Sequence, residues 1–452
     1  MTLVKIPLKT PGTQWGGVVS DTPAPGGLAV FDDMVNFLCR KGRIITRPRL
    51  GSYLTPPDNA RVRYMGTFLD AVNLYHTLML TTQNAYMITN GPVANLLTYP
   101  LSGIATASVN TAGANYAVGD TGTIAGGSPL ATYIVSEVDG SGGVVKFAVQ
   151  FTGEAYSTGT NIATTVVTGS GDGAFTVDIT AVNGFTDLSG TALPYGTAAI
   201  LNRLYFANGS VPVLYADGET SVKVAGDVPG SAFFMTVNEQ SLILANTVEP
   251  APGIINSTNY PQRVRWSASG LPDEWDSTVD FTAGFNDLVE VPDVITGINT
   301  LGRNSYIYRT NGITVMYPTG SSGVGSLPFG FEDFSFAPLG VGNALPYSLA
   351  TYGPRCVFVA EDDIYLFDGS TPQPIGYGNK KKIFKDLASA SGDSVVGGIL
   401  PVLGPNFDFL AYYLSIPGPD VAWVFGYDEK SWMRIDSASG FMTALNFVSV
   451  GT

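Results

Sequence analysis

The stretch SYIYRTNGITVMYPTG, residues 305–320, decides the fold. Tyr306, Ile307 and Tyr308 run into Thr310-Asn311-Gly312, and the chain returns through Ile313, Val315 and Met316. Asn-Gly between two runs of β-branched and aromatic residues is a strong hairpin signal. RCVFVAEDDIYLFDG (355–369) repeats the plan, with Glu361, Asp362 and Asp363 as its turn. So do LYHTLMLTTQNAYMITNG (74–91), RLYFANGSVPVLYADG (203–218), SLILANTVEP (241–250) with RVRWSASG (263–270), and FLAYYLSIPGPDVAWVFGYDEKSW (409–432). Several units close on an aromatic residue and an aspartate: Tyr215 before Asp217-Gly218, Phe367 before Asp368-Gly369, Tyr427 before Asp428.

The units recur. Val213, Val264, Val315, Ile364 and Val421 each anchor a unit in its second strand, and they follow one another at a nearly even spacing of roughly 50 positions. The gap from Tyr86 to Val213 is more than twice as long, and the stretch 102–185 within it is unlike the rest. With that stretch set aside, the gap falls close to the period. A period near this length with about four strands per unit predicts a β-propeller. A single four-stranded sheet cannot cover both of its faces, whereas sheets packed radially cover each other. The sequence predicts an all-β chain: a β-propeller of about six blades, residues 1–101 and 186–452, with a small glycine-rich β domain inserted at 102–185. GRIITRPRL (42–50) is the candidate strand to close the last blade.

The insert carries its own echo. Gly113, Tyr116 and Gly119 in GANYAVGDTGTI return as Gly153, Tyr156 and Gly159 in GEAYSTGTNIAT. Strand patterns surround them at TYIVSEV (132–138), VVKFAVQF (144–151) and FTVDITAV (175–182). The spacing suits a tight turn with a tyrosine packed over it. Decoration contacting neighbouring subunits is the leading role, and sugar or surface binding the second.

Composition narrows the function. Charged residues are 13% of the chain against 45% apolar, with 54 Gly and 29 Pro. So few charges suit a surface largely hidden against partners. The net charge of −14 argues against general binding to phosphate backbones. The charge is uneven: positions 1–63 hold nine Lys or Arg against four Asp or Glu. Arg40, Lys41, Arg43, Arg47 and Arg49 are candidate intersubunit residues there, as are Lys380, Lys381 and Lys382 in the one basic run of the acidic remainder, whose default reading is a solvated turn. Cys39 and Cys356 read as reduced core thiols. Neither a signal-peptide pattern nor a membrane-length apolar run is present.

Catalytic patterns are weak. His76 is the only histidine, which excludes metal sites needing two. A nucleophile–histidine pair would have to use it, and its place in LYHTLML reads as an ordinary strand position. The acids at 361–363 read as a turn, and much of the arginine lies near the start of the chain, away from any convergent cluster. GSGDGAF (169–175) and GSSGVGSLPFGF (320–331) lack the strand-to-helix setting of a phosphate loop. The second reads instead as a long loop presenting Phe329, Phe331, Phe334 and Phe336 to a channel or partner, or folding them into its own rim. No catalytic residue, metal ligand or cofactor is expected. RVRWSASGLPDEWD (263–276) places Asp273, Glu274 and Asp276 beside Trp266 and Trp275. It occupies the slot of the other hairpins, so its acids are expected in a turn set by Pro272, with the tryptophans clamping it.

WSASGLPDEWD, SYIYRTNGITVMYPTG and CVFVAEDDIYLFDG, in this order, resemble the tail-hub or nozzle proteins of short-tailed bacteriophages, including the packaged-DNA stabilisation type. GRIITRPRLGSY resembles that family's opening, although Arg49 rather than glycine follows Pro48. The likeness covers about residues 30–100 and 190–436. Residues 102–185 resemble glycine-rich β modules inserted in other virion proteins. The resemblance implies a propeller subunit repeated as a homo-oligomeric ring, commonly a hexamer, below the portal and adaptor. Such a ring holds back packaged double-stranded DNA and later passes it. It implies assembly in the host cytoplasm, residence in the virion tail, and contacts with portal-adaptor and other tail proteins. A propeller lectin or polysaccharide-degrading tail protein is the alternative.

Overall fold

A computed structural model describes residues 55–436, apart from 89–93, 98–102, 128–129, 152, 154–155, 184–187, 189–192, 226–229, 251–256, 291–292, 321–326, 334–340, 391, 405–406, 420 and 429; before residue 55 it describes 15–18, 29–31, 37–40 and 43–46. Six antiparallel four-stranded sheets follow one another, each with its strands in chain order. Blade 1 comprises Val62–Leu69, Tyr75–Thr81, Ala85–Ile88 and Ala94–Leu96. Blade 2 comprises Gly196–Ile200, Arg203–Ala207, Leu214–Ala216 and Lys223–Val224. Blade 3 comprises Ser231–Asn238, Ser241–Pro250, Ser257–Trp266 and Gly284–Asp287, and blade 4 Ile295–Leu301, Asn304–Arg309, Ile313–Pro318 and Phe329–Asp333. Blade 5 comprises Ala350–Tyr352, Arg355–Val359, Ile364–Phe367 and Gln373–Pro374, and blade 6 Val396–Gly404, Phe407–Ile416, Val421–Gly426 and Ser431–Asp436.

The two-residue period of a strand explains how these sheets hold together. In blade 2, Leu204 and Phe206 point into a core shared with Leu78, Leu80 and Met87 of blade 1. The intervening Tyr205 and Ala207 point into a core with Leu242 and Leu244 of blade 3. In turn Ile243 and Ala245 of blade 3 meet Ile307 and Met316 of blade 4. Tyr306 and Tyr308 meet Cys356 and Phe358 of blade 5, and Val357 and Val359 meet Leu414 and Trp423 of blade 6. Second strands such as these are buried on both faces, which is why they read as unbroken apolar runs rather than alternations. The first strands are innermost: those of blades 2, 3 and 4 lie side by side, as do those of blades 5 and 6.

The last blade corrects the expected closing strand. Arg43–Thr46 does not enter the last blade, whose four strands are consecutive and complete. It pairs with Phe37–Arg40 as a separate hairpin in which Arg40 lies opposite Arg43. Trp15–Val18 pairs in parallel with Ala29–Phe31. Trp15–Val18 and Phe37–Arg40 both lie against Ser431–Asp436, the outermost strand of blade 6.

The inserted segment forms a six-stranded antiparallel sheet between Gly103 and Asn183, ordered so that Val144–Phe151 and Gly103–Thr111 are its edges. Those edges approach each other, curling the sheet towards a barrel. The echoed tyrosines plug it. Tyr116 meets the Phe175 ring edge-on at 5.9 Å, and Tyr156 donates its hydroxyl to the Ile124 carbonyl and accepts from the Ala131 amide. Gly113 and Gly153 preceding them have φ of 64° and 63°, a left-handed conformation that glycine adopts without steric cost.

Candidate functional site

The tryptophan hairpin is a joint between three blades. Trp266 and Trp275 are both buried, on opposite sides of blade 3. Trp266 packs with Phe329 and Phe331 of blade 4, at centroid distances of 5.6 and 5.8 Å. Trp275 lies in the core shared with blade 2, its indole N–H donating to the Pro272 carbonyl at 2.9 Å. Asp273 reaches to blade 2 as well, accepting from Arg203 Nη1 at 2.7 Å and from the Tyr205 hydroxyl at 3.3 Å. Glu274 and Asp276 accept backbone N–H groups within their own turn. All three carboxylates are thus engaged in holding the turn and its neighbour.

Beside the hairpin lies a dense group of charges. Glu249 is 5% exposed and accepts from Arg263 Nη1 and Arg265 Nη1, each at 3.1 Å. Arg263 also grips Asp287 with two nitrogens, at 2.7 and 2.8 Å, and stacks 3.8 Å from the Tyr260 ring. The Asp287 carboxylate, with Glu249, holds the Arg263 guanidinium above its usual pKa despite burial. Burial pulls Arg265 down. Both arginines come from one face of a strand, at i and i+2. The buried acid that neutralises them comes from the neighbouring strand, so this is a structural clasp.

His76 is buried and its Nε2 sits 2.8 Å from Asp70 Oδ2. Asp70 Oδ1 accepts the amides of Val72 and Leu74 at 2.9 and 2.8 Å. The pair closes the first hairpin of blade 1. A side chain on Gly218 of blade 2 would come within 2.9 Å of the imidazole Nε2, so the Asp217-Gly218 turn presses on it. Imidazole Nδ1 meets no hydrogen-bond partner among the described residues. The bonds made here fasten a turn, and the arrangement is a turn lock. The described residues contain no cluster of potential metal ligands.

The aspartate turns make stability acid-sensitive. The Leu74 amide and then the His76 ring lower the Asp70 pKa. The Gly143 amide lowers Asp139, the Ala174 amide Asp172, the Thr282 hydroxyl Asp280 and the Ser370 hydroxyl Asp368. A carboxyl depressed in the folded state stabilises it above the ordinary value of 3.8 and loses that contribution as pH falls through the lower folded values. The melting temperature is therefore expected to hold between about pH 7 and 5 and to drop steadily from about pH 4 downward. A calorimetric pH series checks this, and Asp70→Asn should remove part of the drop.

The loop expected to present phenylalanines is partly a strand. Phe329 is 2% exposed and Phe331 half-buried, both on the fourth strand of blade 4, in register with Pro318 and Met316. Phe329 is spent on the core with Trp266, which corrects its reading as a contact residue; Phe334 and Phe336 lie outside the described residues. The basic run is likewise no turn. Lys380, Lys381 and Lys382 open an α-helix, Lys380–Leu387, because Ile383, Phe384 and Leu387 supply a helical apolar face against blades 5 and 6. Asp386 pins it to blade 6, accepting from the Trp423 indole at 2.9 Å. Lys380 Nζ is 3.5 Å from Asp363, and Lys381 is exposed. Arg40 and Arg43 face one another in register; Lys41, Arg47 and Arg49 lie outside the described residues. Cys356 is buried against the Tyr308 hydroxyl at 3.1 Å, and burial pushes its thiol up to about 11, so it is unreactive.

A cavity of about 160 Å³ lies where the inner strands converge. Its wall draws on five blades directly: Arg63 and Tyr64 from the first, Gly196 from the second, Phe234 and Met235 from the third, Ile298 from the fourth, and Val396 and Gly397 from the sixth. Pro194 and Tyr195 precede blade 2; Pro346, Tyr347 and Leu349 lead into blade 5. The backbones are close here: a Cβ on Gly196 would lie 2.6 Å from the Phe233 carbonyl oxygen. This convergence is the axis of the propeller. By sequence, Arg63 is one of the basic residues of the chain's start. The signal that sets it apart is its position between Val62 and Tyr64 at the head of an otherwise apolar strand.

No protein-family model matches the chain, and no curated sequence matches it. Among solved structures it is similar to BamB from Moraxella catarrhalis (8% identity, TM-score 0.31, covering 56% of this chain and 77% of that one). It is also similar to apo AztD from Citrobacter koseri (9%, 0.29, covering 72% and 97%) and an auxiliary nutrient binding protein from Bacteroides thetaiotaomicron (12%, 0.32, covering 83% and 86%). At these values the likenesses carry no functional argument, and the propeller assignment rests on the chain's own order of sheets.

Proposed function

We propose that this chain is a structural subunit of a short-tailed phage virion, repeated as a tail-hub or nozzle ring through which packaged DNA is retained and then passed. The observation that carries the reading is the outer edge of blade 3. Leu271, Val279, Phe285 and Val289 are all more than half exposed around the outermost strand Gly284–Asp287, with Phe281 beside them. So much apolar surface gathered in one short stretch is costly on a monomer and ordinary at an interface. By sequence, the hairpin containing Arg40 and Arg43 and the helix containing Lys381 and Lys382 bring positive charge to an otherwise acidic chain. The propeller axis is no path for a duplex: the cavity there is only about 160 Å³, with Tyr195, Phe234 and Tyr347 among its lining residues. DNA would run between copies, along walls whose net negative charge repels phosphate.

The test is assembly. Light scattering and electron microscopy of the purified full chain are expected to show rings. Val279→Glu with Val289→Glu is expected to weaken association by about tenfold or more, because each buries a charge at the seam. Circular dichroism of that variant should be unchanged. A chain that stays monomeric at high concentration while binding or cleaving a glycan would sink this reading in favour of a propeller lectin or polysaccharide-degrading tail protein.

A further inference from the structure

Arg63 is 9% exposed, and neither its Nε nor its Nη1 meets a hydrogen-bond partner among the described residues. Other buried or half-buried arginines each hold a carboxylate: Arg263 takes Asp287 and Glu249, Arg265 takes Glu249, Arg309 takes Asp333 at 2.7 Å, and Arg434 takes Asp386 at 3.4 Å. Arg63 has no such partner among the described residues; burial and the like charge of Arg61 act against its charge, and of the wall only Tyr195 and Tyr347 act in its favour. A guanidinium does not lose its proton to escape this cost. A charge taken from water without a counter-ion is expensive, and proteins keep one where an anion completes it. The guanidinium lines the axial cavity, and the remaining side chains of the wall are apolar or aromatic.

We propose that the axial cavity binds a small organic carboxylate, its anionic head on the Arg63 guanidinium and its apolar body against Phe234, Met235, Ile298 and Leu349. The two parts of the wall define the ligand class. A planar guanidinium fork matches a carboxylate with two parallel N–H bonds. Walls without further cations disfavour a strongly hydrated inorganic anion such as phosphate. A cavity of about 150 Å³ accepts a benzene ring, so the volume suits a body of one aromatic ring or a short branched chain. The site depends on the converged inner strands of one copy and not on ring assembly, so it stands or falls independently of the virion role.

The probe is benzoate, added to the full-length chain and followed by calorimetric titration and by melting temperature. Saturable binding at one site per chain is expected, with a dissociation constant no weaker than about 1 mM. Neutral benzamide and inorganic phosphate should each bind about tenfold more weakly or not at all. Arg63→Met is expected to weaken benzoate about tenfold or more, to abolish the benzoate-induced rise in melting temperature, and to leave the ligand-free melting temperature no lower, since it removes an unpaired charge. Absence of saturable benzoate binding overturns the proposal, as does benzamide or phosphate binding as tightly as benzoate. So does Arg63→Met retaining wild-type affinity. The comparison of probes uses the unaltered protein, so the proposal stays testable if the variant folds poorly.

Discussion

Glu249→Ala is expected to lower the free energy of unfolding by about 3–5 kcal/mol. The carboxylate is 5% exposed and neutralises two guanidiniums at once. Removing it leaves Arg265 with the Trp275 carbonyl at 3.2 Å as its remaining bonded oxygen, and leaves Arg263 to Asp287. The loss is dominated by the stranded cations rather than by the attraction that vanished. Two comparisons separate these effects. Glu249→Gln keeps an acceptor without the charge and should cost less than alanine. Replacing Glu249, Arg263 and Arg265 together by leucine and methionines should cost less than Glu249→Ala alone, because no charge is left behind. Urea denaturation measures all three. A loss under about 1 kcal/mol for Glu249→Ala would mean that water screens the pair as it does at a surface.

That clasp was invisible in the sequence, and the reason is physical. Glu249 closes SLILANTVEP and the arginines open RVRWSASG, and the residues between carry no pattern that fixes which acid meets which arginine. Register decides it, and register is a property of the paired strands: Ala245 opposite Val264, with a shift before Thr247 opposite Tyr260. The blades themselves were legible because their second and third strands are largely covered on both sides. The anchors Val264, Val315, Ile364 and Val421 fall on the third strands of blades 3, 4, 5 and 6. The strand pairs that stand out in the sequence are the middle of each four-strand sheet. The outermost strands escaped notice because several are short and half-exposed, down to two residues at Lys223–Val224 and Gln373–Pro374. Such edges resist pairing with other chains, and they leave little apolar signal.

The site residues were harder to read than the fold. Phe329 follows a glycine-rich stretch that reads as a flexible loop, yet its partner is Trp266, far earlier in the chain and in another blade. The lysine run reads as a turn because three like charges dominate it; the apolar spacing that makes it a helix begins only at Ile383. Arg63 differs again. Its neighbours in sequence say that one face of the strand is covered, and only the meeting of inner strands shows that its own face is covered too.

Trp266→Ala and Trp275→Ala are each expected to cost about 3–5 kcal/mol, by lost burial and by the cavity left behind. Their consequences should fall in different places. Trp266 supports the core between blades 3 and 4, with Phe329 and Met316, whereas Trp275 supports the core between blades 2 and 3, with Tyr205 and Leu244. The two cores share no residue, so the double variant should lose nearly the sum of the two. Amide exchange gives the sharper test. Trp266→Ala should speed exchange in Asn304–Arg309 and Ile313–Pro318, and Trp275→Ala in Arg203–Ala207 and Leu214–Ala216, with Ser241–Pro250 affected by both. Faster exchange spread evenly over all six blades would show the ring opening as one unit. Exchange confined to the hairpin would mean that the tryptophans brace a turn and nothing beyond it. The expected pattern, one seam loosened per tryptophan, follows from their placement: Trp266 ends a strand and faces blade 4, and the turn that follows carries Trp275 back into the core shared with blade 2.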